Sequence, residues 1–383
     1  MAKKNSQLDL YDHSEAKVTL LKKYLEAFLT IIGHSSHYGV VHLFDLFCGE
    51  GLYPNGGKGS PLIITETIKE IRERSNNHNL QSTVFNFLAN DLDVKSLANV
   101  KKYFDENPEM VNWVNDLKFS NTDYKEFIPQ LSVKFKKLKG EKAFVFIDPY
   151  GYKDISVLDI KALLSGKNSE VLLFLPTQFM YRFDNSAAPA SLIQFISELN
   201  PKGDWQQGGN GLEFIDNLKD AFSSFLEGNY FVDAFRIAKA KNEYFCLFFF
   251  TSHIYGFHKM IEAKWSIDEE DGRGWTPEDY ITGSGQLNAF THAEKEPQTN
   301  PLEGALRGYL TQWRSNKELY EFTLRKGFLP KHATPILKEF LNNGKIDREQ
   351  LCNTVKRKAE FYLTYDNYKR DIPVKIRVKL KNS

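Results

Sequence analysis

Alternation between two hydrophobic periods over residues 40–199 constrains the fold more than any other feature of the sequence. Short apolar runs typical of buried strands, such as VVHLFDLF at Val40–Phe47, are each followed by a segment of helical periodicity. Strands that alternate with helices are typical of a parallel sheet covered on both faces. The predicted strands are Val40–Phe47, Val84–Leu88, Val111–Phe119, Ala143–Ile147 and Val171–Pro176.

The alternation ends near residue 200, and a hairpin pattern follows. Tyr230–Ile237 and Glu243–Ser252 both have strand composition, and only the short segment Ala238–Asn242 separates them. So short a connection predicts an antiparallel pair. Five parallel strands that end in an antiparallel hairpin outline the Rossmann-like seven-stranded sheet of methyltransferases. We therefore predict an α/β domain of this type over residues 1–265, a linker over 266–300 and a winged-helix-like basic domain over 301–383.

Composition excludes several classes of protein. Of 383 residues, 42% are hydrophobic and 26% are charged, as in ordinary folded proteins. No apolar run approaches the roughly 18 residues of a membrane span, and MAKK at the N-terminus leads into polar residues rather than a secretory signal. Cys48, Cys246 and Cys352 lack metal-ligand spacing and cannot all pair. We therefore expect a cytoplasmic protein without a membrane span, a disulfide scaffold or a metal site.

The net charge of +1 conceals an asymmetry along the chain. Pro330–Ser383 contains 13 Lys and Arg against 6 Asp and Glu, a surplus of seven positive charges that leaves −6 for the rest. An acidic body with a basic end is common among nucleic-acid-binding proteins. The alternative is a solvated helical face with surplus lysines.

A glycine-rich loop follows the first predicted strand. DLFCGEG at Asp45–Gly51 leads into Gly49–Gly59, in which five of eleven residues are glycine. Glycines let the backbone approach a ligand closely, and an acid at the strand end suits a cationic ligand better than a pyrophosphate. S-Adenosylmethionine (AdoMet), with its sulfonium and amino groups, fits this loop better than a dinucleotide. We therefore expect Asp45, Phe47, Gly49 and Gly51 to bind this cofactor, with a purely structural turn as the alternative.

Two other ligand-binding loops do not fit the sequence. The dinucleotide pattern G-x-G-x-x-G fails because Pro54 occupies the position of the third glycine. The Walker A pattern fails because Gly57 separates Gly56 from Lys58.

Acids also follow the second and third predicted strands. Asp91 is positioned to accept hydrogen bonds from ribose hydroxyls, as in other nucleotide-binding α/β sheets. Asp93 lies close enough to compete for this role, or it caps the next helix. Asp123 either accepts a hydrogen bond from the adenine amino group or only caps the helix that follows it.

The fourth predicted strand ends in Asp148-Pro149-Tyr150-Gly151. In open α/β folds, ligands bind at the edge where such strand ends lie. Asp148 and backbone carbonyl oxygens can accept hydrogen bonds from an amino group while the Tyr150 ring stacks on a planar base. We therefore expect Asp148, Pro149 and Tyr150 to orient the acceptor of a methyl transfer; an ordinary proline-aromatic turn is the alternative.

These segments together resemble the three-Cys-motif partner proteins, the TcmP family, over roughly residues 10–265. The chain differs from the usual family motif at Cys48, Glu50 and Tyr150, where Ala, Pro and Phe are usual. The matching segments are EAK at Glu15–Lys17, LLKKYL at Leu20–Leu25, DLFCGEG at Asp45–Gly51, GSPL at Gly59–Leu62, Asn90-Asp91, FIDPYG at Phe146–Gly151 and HKMIEAKW at His258–Trp265.

The resemblance implies a class I AdoMet-dependent methyltransferase fold and a partner protein with a three-cysteine motif. The tetrad at Asp148–Gly151 is also similar to that of tRNA guanine-N2 methyltransferases. We therefore expect methyl transfer from AdoMet to an exocyclic amine of a nucleic-acid base. The alternative is a non-catalytic nucleic-acid-binding protein that keeps the sheet as a scaffold and acts through its partner. A nuclease is less consistent with the sequence, which lacks a D…ExK cluster.

The C-terminal segment has a helix-turn-helix pattern. Helical periodicity over Asn316–Lys326 ends at Gly327, and a second helix is predicted over Thr334–Leu341 with Pro335 in its first turn. Alternating apolar and basic residues over Val374–Leu380 predict the wing strand of a winged helix. The residues expected to face nucleic-acid phosphates are Lys331, His332, Lys338, Lys375, Arg377 and Lys379. The alternative is a domain that only packs on the core or binds a protein.

Overall fold

The computed structural model describes two compact units. The first contains the described parts of Met1–Lys259 and Gly274–Leu287, and the second those of Met260–Arg273 and Asn288–Ser383. No helix in the described part of the chain is long and apolar enough to cross a membrane. The described residues are 12–35, 37–75, 83–182, 189–203, 205, 208–228, 230–240, 243–276, 297–352 and 360–381.

The first unit is built on one eight-stranded sheet. Its strands are β1 (Val40–Asp45), β2 (Val84–Asn90), β3 (Asp116–Ser120), β4 (Glu141–Ile147), β5 (Ser169–Leu175), β6 (Phe231–Ala240), β7 (Glu243–Thr251) and β8 (Gly274–Trp275). The strand order is β3-β2-β1-β4-β5-β7-β6-β8. Strands β1 to β5 are parallel, and β7 is antiparallel to both β5 and β6. The predicted parallel strands and antiparallel hairpin are thereby confirmed.

Helices cover both faces of this sheet because its strands bury side chains on both sides. Ala143 and Val145 of β4 belong to a core that also contains residues of five helices, whereas Phe144 between them contacts Tyr24 and Phe28 of the first helix. The helices up to residue 265 are α1 (Asp12–Gly33), α2 (Ser60–Ser75), α3 (Val94–Glu106), α4 (Tyr124–Lys136), α5 (Val157–Leu164), α6 (Thr177–Arg182), α7 (Ala190–Leu199), α8 (Gly211–Phe225) and α9 (Ile254–Trp265).

The strand order reverses direction at β1. The chain moves from β1 outwards to β2 and β3, and then returns to place β4 and β5 on the other side of β1. In open α/β sheets, ligands bind outside the carboxyl ends of the strands at such a switch point. The fold therefore places the candidate site at the carboxyl ends of β1 and β4.

The first unit differs from the sequence prediction at three short elements. β8 pairs in parallel with β6 inside the segment assigned to a linker, and two residues are too few for periodicity to reveal a strand. Helix α6 was not predicted either. β3 begins at Asp116 rather than Val111, because the chain forms a turn at residues 111–114, in which Val114 N–H donates to Val111 O, after the 3-10 helix Pro108–Met110.

The second unit confirms the predicted helix-turn-helix and wing strand. Its elements are α10 (Asn300–Tyr309), β9 (Arg314–Ser315), α11 (Asn316–Arg325), α12 (Pro330–Asn342), β10 (Ile346–Gln350), α13 (Tyr365–Tyr368) and β11 (Ile376–Leu380). β11 pairs in antiparallel fashion with β10 and β9. α12 begins four residues before the predicted start, because Pro330 rather than Pro335 takes the first turn, where a missing N–H is harmless.

Candidate cofactor and acceptor site

Three of the predicted site acids lie at the carboxyl ends of neighbouring strands. Asp45 ends β1, Asp91 follows β2 and Asp148 follows β4. β1 lies between β2 and β4 in the sheet, and the charge of Asp45 interacts with those of both other acids. The fold thus brings together carboxylates that are far apart in sequence.

Asp45 is the most deeply buried of these acids. It has no exposed surface, its Oδ1 accepts a long hydrogen bond from Phe47 N–H at 3.4 Å, and its Oδ2 has no partner among the described residues. Burial raises the pKa of Asp45 to about 7; the nearby Ser60 hydroxyl and the Phe47 N–H lower the pKa, and the charge of Asp148 raises it. A buried carboxylate with an unused oxygen suits a cationic ligand.

The two loop glycines predicted to bind the cofactor, Gly49 and Gly51, have different environments. Both have positive φ angles, 60° at Gly49 and 74° at Gly51, which favour glycine. A Cβ atom at Gly51 would lie 2.9 Å from Val100 Cγ2 and 3.2 Å from Leu62 Cδ1, so this glycine makes room for protein packing. A Cβ at Gly49 would have no atom within 4 Å. Gly49 is therefore the better candidate for close approach of the backbone to a ligand.

Asp91, which follows β2, is hydrogen-bonded to the glycine loop. It is 2% exposed; its Oδ2 accepts from Gly49 N–H and its Oδ1 from Asp93 N–H, both at 2.8 Å. Burial is the largest cause of its raised pKa. Each oxygen can accept a second hydrogen bond, so the predicted contact with a ribose is compatible with this geometry. Asp93 caps α3 by accepting from Lys95 N–H at 2.9 Å.

The two other predicted cofactor residues have local structural contacts. Asp123 is exposed and caps α4 by accepting from Lys125 N–H at 2.8 Å, which is the capping role that the sequence left open. Phe47 is half-buried and stacks on Tyr124, with ring centroids 5.4 Å apart. The predicted contact of Asp123 with adenine stays a prediction.

Asn90 is a buried residue for which the sequence pattern predicts no role of its own. Its Nδ2 donates to Leu46 O at 3.2 Å and Thr122 O at 3.1 Å, and its Oδ1 accepts from Thr122 N–H at 3.1 Å. One side chain thereby fixes the segments that follow β1 and β3. The sequence signal that could have pointed to this role is the position of Asn90 at the end of β2, next to Asp91.

Asp148 is held by Lys17, a residue for which the sequence pattern predicts no role. Lys17 of α1 is only 9% exposed, and its ammonium donates to Asp148 Oδ2. The ammonium also lies 4.7 Å from the centre of the Phe174 ring. Burial lowers the pKa of Lys17, but the charge and hydrogen bond of Asp148 outweigh this effect and the net pKa is raised. The ion pair makes the N-terminal helix part of the site.

Two tyrosines lie close to the acids. Tyr150 is 69% exposed, whereas Pro149 before it is buried. The pKa of Tyr150 is raised, first by desolvation and then by the charges of Asp91 and Asp148. The pKa of Tyr53, in the glycine loop, is raised chiefly by desolvation and is lowered by the charge of Lys17. An exposed ring and a half-buried ring thus lie within electrostatic reach of the carboxylates.

Comparison with known proteins gives one family match, in the C-terminal part of the chain. Residues 274–347 match the model of the GMT-like wHTH domain, a winged helix-turn-helix. No curated protein matches the chain.

Solved methyltransferases resemble the chain at low sequence identity. The O-methyltransferase TomG of Streptomyces achromogenes, solved with SAM, is 12% identical, covers 60% of this chain and 79% of its own, and has a TM-score of 0.31. Trm1 of Pyrococcus horikoshii, solved with S-adenosyl-L-methionine, is 11% identical. The match covers 69% of this chain and 61% of Trm1, with a TM-score of 0.34. The N-terminal domain of human METTL16, solved with SAH, is 12% identical. The match covers 60% of this chain and 69% of the METTL16 domain, with a TM-score of 0.27.

The residues predicted to bind nucleic acid on α12 divide into two groups. Lys331 and Lys338 are exposed and make no ion pair with the described residues. His332 is 5% exposed and its ring lies 4.1 Å from that of Trp265. Burial lowers its pKa to about 4, with a further contribution from Lys331. His332 is therefore a neutral packing residue, and the expectation that it faces a phosphate does not fit its burial.

The basic side chains of the wing have partners within the second unit. Arg377 Nε lies 2.5 Å from Glu349 Oε2, and its guanidinium lies 4.8 Å from the centre of the Trp313 ring. Lys375 Nζ lies 5.1 Å from the Tyr362 ring. Lys379 is opposite Asp347 of β10 in the strand register. Acids of β10 thus offset part of the charge on β11.

Proposed function

We propose that the protein is an AdoMet-dependent methyltransferase that acts on an exocyclic amine of a nucleic-acid base. The observation that carries the proposal is the buried Asp45, whose unpartnered Oδ2 lies at the topological switch point of the sheet. A buried polar group without a partner costs free energy, and a cationic ligand would remove that cost. AdoMet carries positive charge on its sulfonium and amino groups, whereas a pyrophosphate would be repelled by Asp45 and Asp91.

The residues at this edge fit AdoMet in their chemistry. Asp45 would bind its amino group, Gly49 would let the backbone approach it, and Asp91 would accept hydrogen bonds from its ribose. Phe47 and Asp123 would border the pocket, Asp123 near the adenine amino group. When bound, AdoMet supplies a methyl group activated by the sulfonium.

The segment after β4 would bind the acceptor. Asp148 would accept a hydrogen bond from the amine, the carbonyl of Pro149 would accept a second one, and the exposed ring of Tyr150 would stack on the base. An amine can lose its proton after it attacks, so the reaction needs no strong base. Catalysis in this proposal is mostly positioning of the two reactants.

Nucleic-acid binding is assigned to the winged-helix unit. Lys331 and Lys338 lie seven residues apart on α12, so both lie on one side of that helix. A recognition helix of this kind binds the major groove, and its cations contact phosphates. Lys375, Arg377 and Lys379 would contribute less, because wing acids and aromatic rings already engage that strand.

The proposal includes a protein partner and a location. The resemblance of the motif segments to those of the TcmP family supports a partner with a three-cysteine motif. The three cysteines are scattered and form no disulfide, a pattern typical of proteins from a reducing compartment, and this supports the proposed cytoplasmic location.

A specific observation also favours a second candidate, a non-catalytic nucleic-acid-binding protein. Asp148 is already engaged by Lys17, and both oxygens of Asp91 already accept backbone hydrogen bonds. A scaffold without a ligand would show such internal contacts. A metal-dependent nuclease has no comparable support, since no three potential metal ligands lie together within the described ranges.

Transfer of an isotopically labelled methyl group from AdoMet tests the first candidate against the second. Single-stranded DNA, duplex DNA and RNA are incubated with the full chain, and the products are digested to nucleosides. The proposal expects label on an exocyclic amine and less label with Asp45→Asn at the same AdoMet concentration. Absence of label on every nucleic acid, for a chain that binds nucleic acid, would favour the non-catalytic candidate.

A further inference from the structure

Lys17 is a buried charge for which the proposed reaction has so far no role. Lysine is almost never fully buried unless it is paired, and Lys17 is paired with Asp148. A buried ion pair contributes little net stability, because desolvation of two charges offsets their attraction. Stability alone therefore gives no reason for this pair to lie at the edge of the sheet where ligands bind.

The Lys17–Asp148 pair has unused hydrogen-bonding capacity. An ammonium has three donors, and the described contacts of Lys17 use one of them, to Asp148 Oδ2. Asp148 Oδ1 has no hydrogen-bond partner within the described part of the chain. The pair therefore offers a cationic donor directly beside an anionic acceptor.

The position of the ammonium is fixed from several sides. Leu20 and Leu21, the next turn of α1, are fully buried, so the helix is anchored in the core. The Phe174 ring lies beneath the ammonium and stacks on Phe245, with centroids 5.4 Å apart. A fixed donor next to a fixed acceptor can select a ligand by its pattern of hydrogen bonds.

We propose that Lys17 belongs to the acceptor subsite and that, with Asp148, it recognises an amino group whose carbon also carries an unprotonated ring nitrogen. Asp148 accepts from the amino group and Lys17 donates to the ring nitrogen. Adenine, through N6 and N1, and cytosine, through N4 and N3, present this pattern on their Watson–Crick edge. The inference rests on the proposed methyl transfer and narrows its substrate class.

Guanine fits the pair less well. On its Watson–Crick edge the amino group adjoins N1–H, a donor that would meet the donor of Lys17. The other ring nitrogen beside the guanine amino group, N3, is unprotonated, but it lies on the sugar edge of the base rather than on the Watson–Crick edge. Since N1 of adenine and N3 of cytosine are used in base pairing, the acceptor must also be unpaired, in a single strand or flipped out of a duplex.

Substrates that lack the ring nitrogen provide the test. Single-stranded oligonucleotides carry one adenine or one 1-deazaadenine, and a second set carries cytosine or 3-deazacytosine. We expect the wild-type chain to lose about tenfold or more in kcat/KM on the deaza base, because Lys17 would lose its acceptor. Lys17→Met should lose a similar factor on the natural base and nothing further on the deaza base. Lys17→Arg, which keeps a charged donor, should recover part of the activity.

A second lysine of α1 provides the matched control. Lys22 forms an ion pair with Glu70 of α2 at 2.7 Å, so Lys22→Met removes a paired lysine from the same helix without touching Asp148. Its preference for the natural base should equal that of the wild type. AdoMet affinity and Tm, measured for each variant, separate loss of recognition from loss of fold.

The outcomes distinguish this inference from the proposed function. Equal kcat/KM on the natural and deaza bases, or a preference for guanine N2, would overturn the role of Lys17 while methyl transfer stands. If the wild-type chain methylates no nucleic acid, both proposals fail. The comparison of natural and deaza bases needs no variant, so it decides the question even if Lys17→Met does not fold.

Discussion

Lys17, which is buried, and Asp148, which is partly buried, are 131 residues apart in sequence and form an ion pair at the carboxyl end of β4. The pair joins the N-terminal helix to the segment proposed to bind the acceptor. Asp148 is thereby held in one orientation before any substrate arrives. Pre-positioning of this kind is what a reaction governed by proximity requires.

Breaking this ion pair from one side should destabilise the fold. Asp148→Leu leaves Lys17 buried without a partner, which should lower the free energy of unfolding by about 3–5 kcal/mol. The double variant Lys17→Met/Asp148→Leu should recover most of this loss, since no charge stays buried. Urea denaturation of the four proteins in this cycle measures the coupling.

The partly exposed pair Lys22–Glu70 is the control for that cycle. Its coupling should be about 0–1 kcal/mol, as for other pairs near the surface. A coupling for Lys17–Asp148 as small as this one would show that the pair is solvated in solution.

Removing the charge of Asp148 should separate activity from cofactor binding. Asp148→Asn keeps an oxygen that can face Lys17, but it is a weaker acceptor for an amine. We expect methyl incorporation to fall by about a hundredfold or more while AdoMet affinity stays within a few fold. Equal losses of both would place Asp148 in the cofactor pocket, and unchanged activity would remove it from the site.

Asp91 should matter for the cofactor. Asp91→Ala removes the acceptor proposed for the ribose hydroxyls and releases Gly49 N–H, so AdoMet should bind about tenfold or more weakly. Calorimetric titration measures the affinity, and thermal unfolding checks that the fold persists. Asp116→Ala, an exposed acid on β3, should bind AdoMet as the wild type does; equal weakening by both substitutions would argue against a specific contact.

The exposed lysines of α12 should carry more of the nucleic-acid binding than the wing arginine. Lys331→Glu/Lys338→Glu should weaken duplex binding and reduce the log–log salt slope by about 1.8, or about 0.9 for each lost phosphate contact. Arg377→Glu should have a smaller effect, because Arg377 already pairs with Glu349. Fluorescence anisotropy at several salt concentrations measures all three proteins.

The control for these lysines comes from the first unit. Lys101→Glu/Lys102→Glu changes the same charge on exposed positions of α3 and should leave the salt slope unchanged. If it weakens binding as much as the α12 variant does, net charge rather than the winged helix governs binding.

The sequence predicted the architecture because its signals are local. The spacing of apolar residues distinguishes the strands β1 and β4 from the helices α2 and α5 that follow them. The short connection between β6 and β7 indicates their antiparallel pairing. The two-residue strand β8 has no period to detect. The start of α12 was misplaced because either of two prolines, Pro330 and Pro335, can occupy a first turn.

The sequence predicts the positions of only some residues of the candidate site. Acids at strand ends follow from the topology, so the sequence predicts that Asp45, Asp91 and Asp148 lie near one another, and their roles stay predictions. The sequence does not predict the position of Lys17, because helix α1 docks beside β4 through tertiary packing that no local pattern reveals. The prediction for His332 does not fit the structure for a related reason. A histidine next to a lysine suggests an exposed position, and the packing of His332 against Trp265 is a tertiary contact that the sequence does not reveal.

Calorimetric titration of the full chain with AdoMet at pH 5.5 and pH 7.0 tests the central claim most directly. The cofactor cation favours ionised Asp45, and the raised pKa of about 7 means that the ionised fraction grows over this range. Affinity should therefore rise by about tenfold from pH 5.5 to 7.0 in the wild type. Asp45→Asn should bind more weakly and show little of this dependence. Absence of AdoMet binding to the wild type at both pH values would contradict the account.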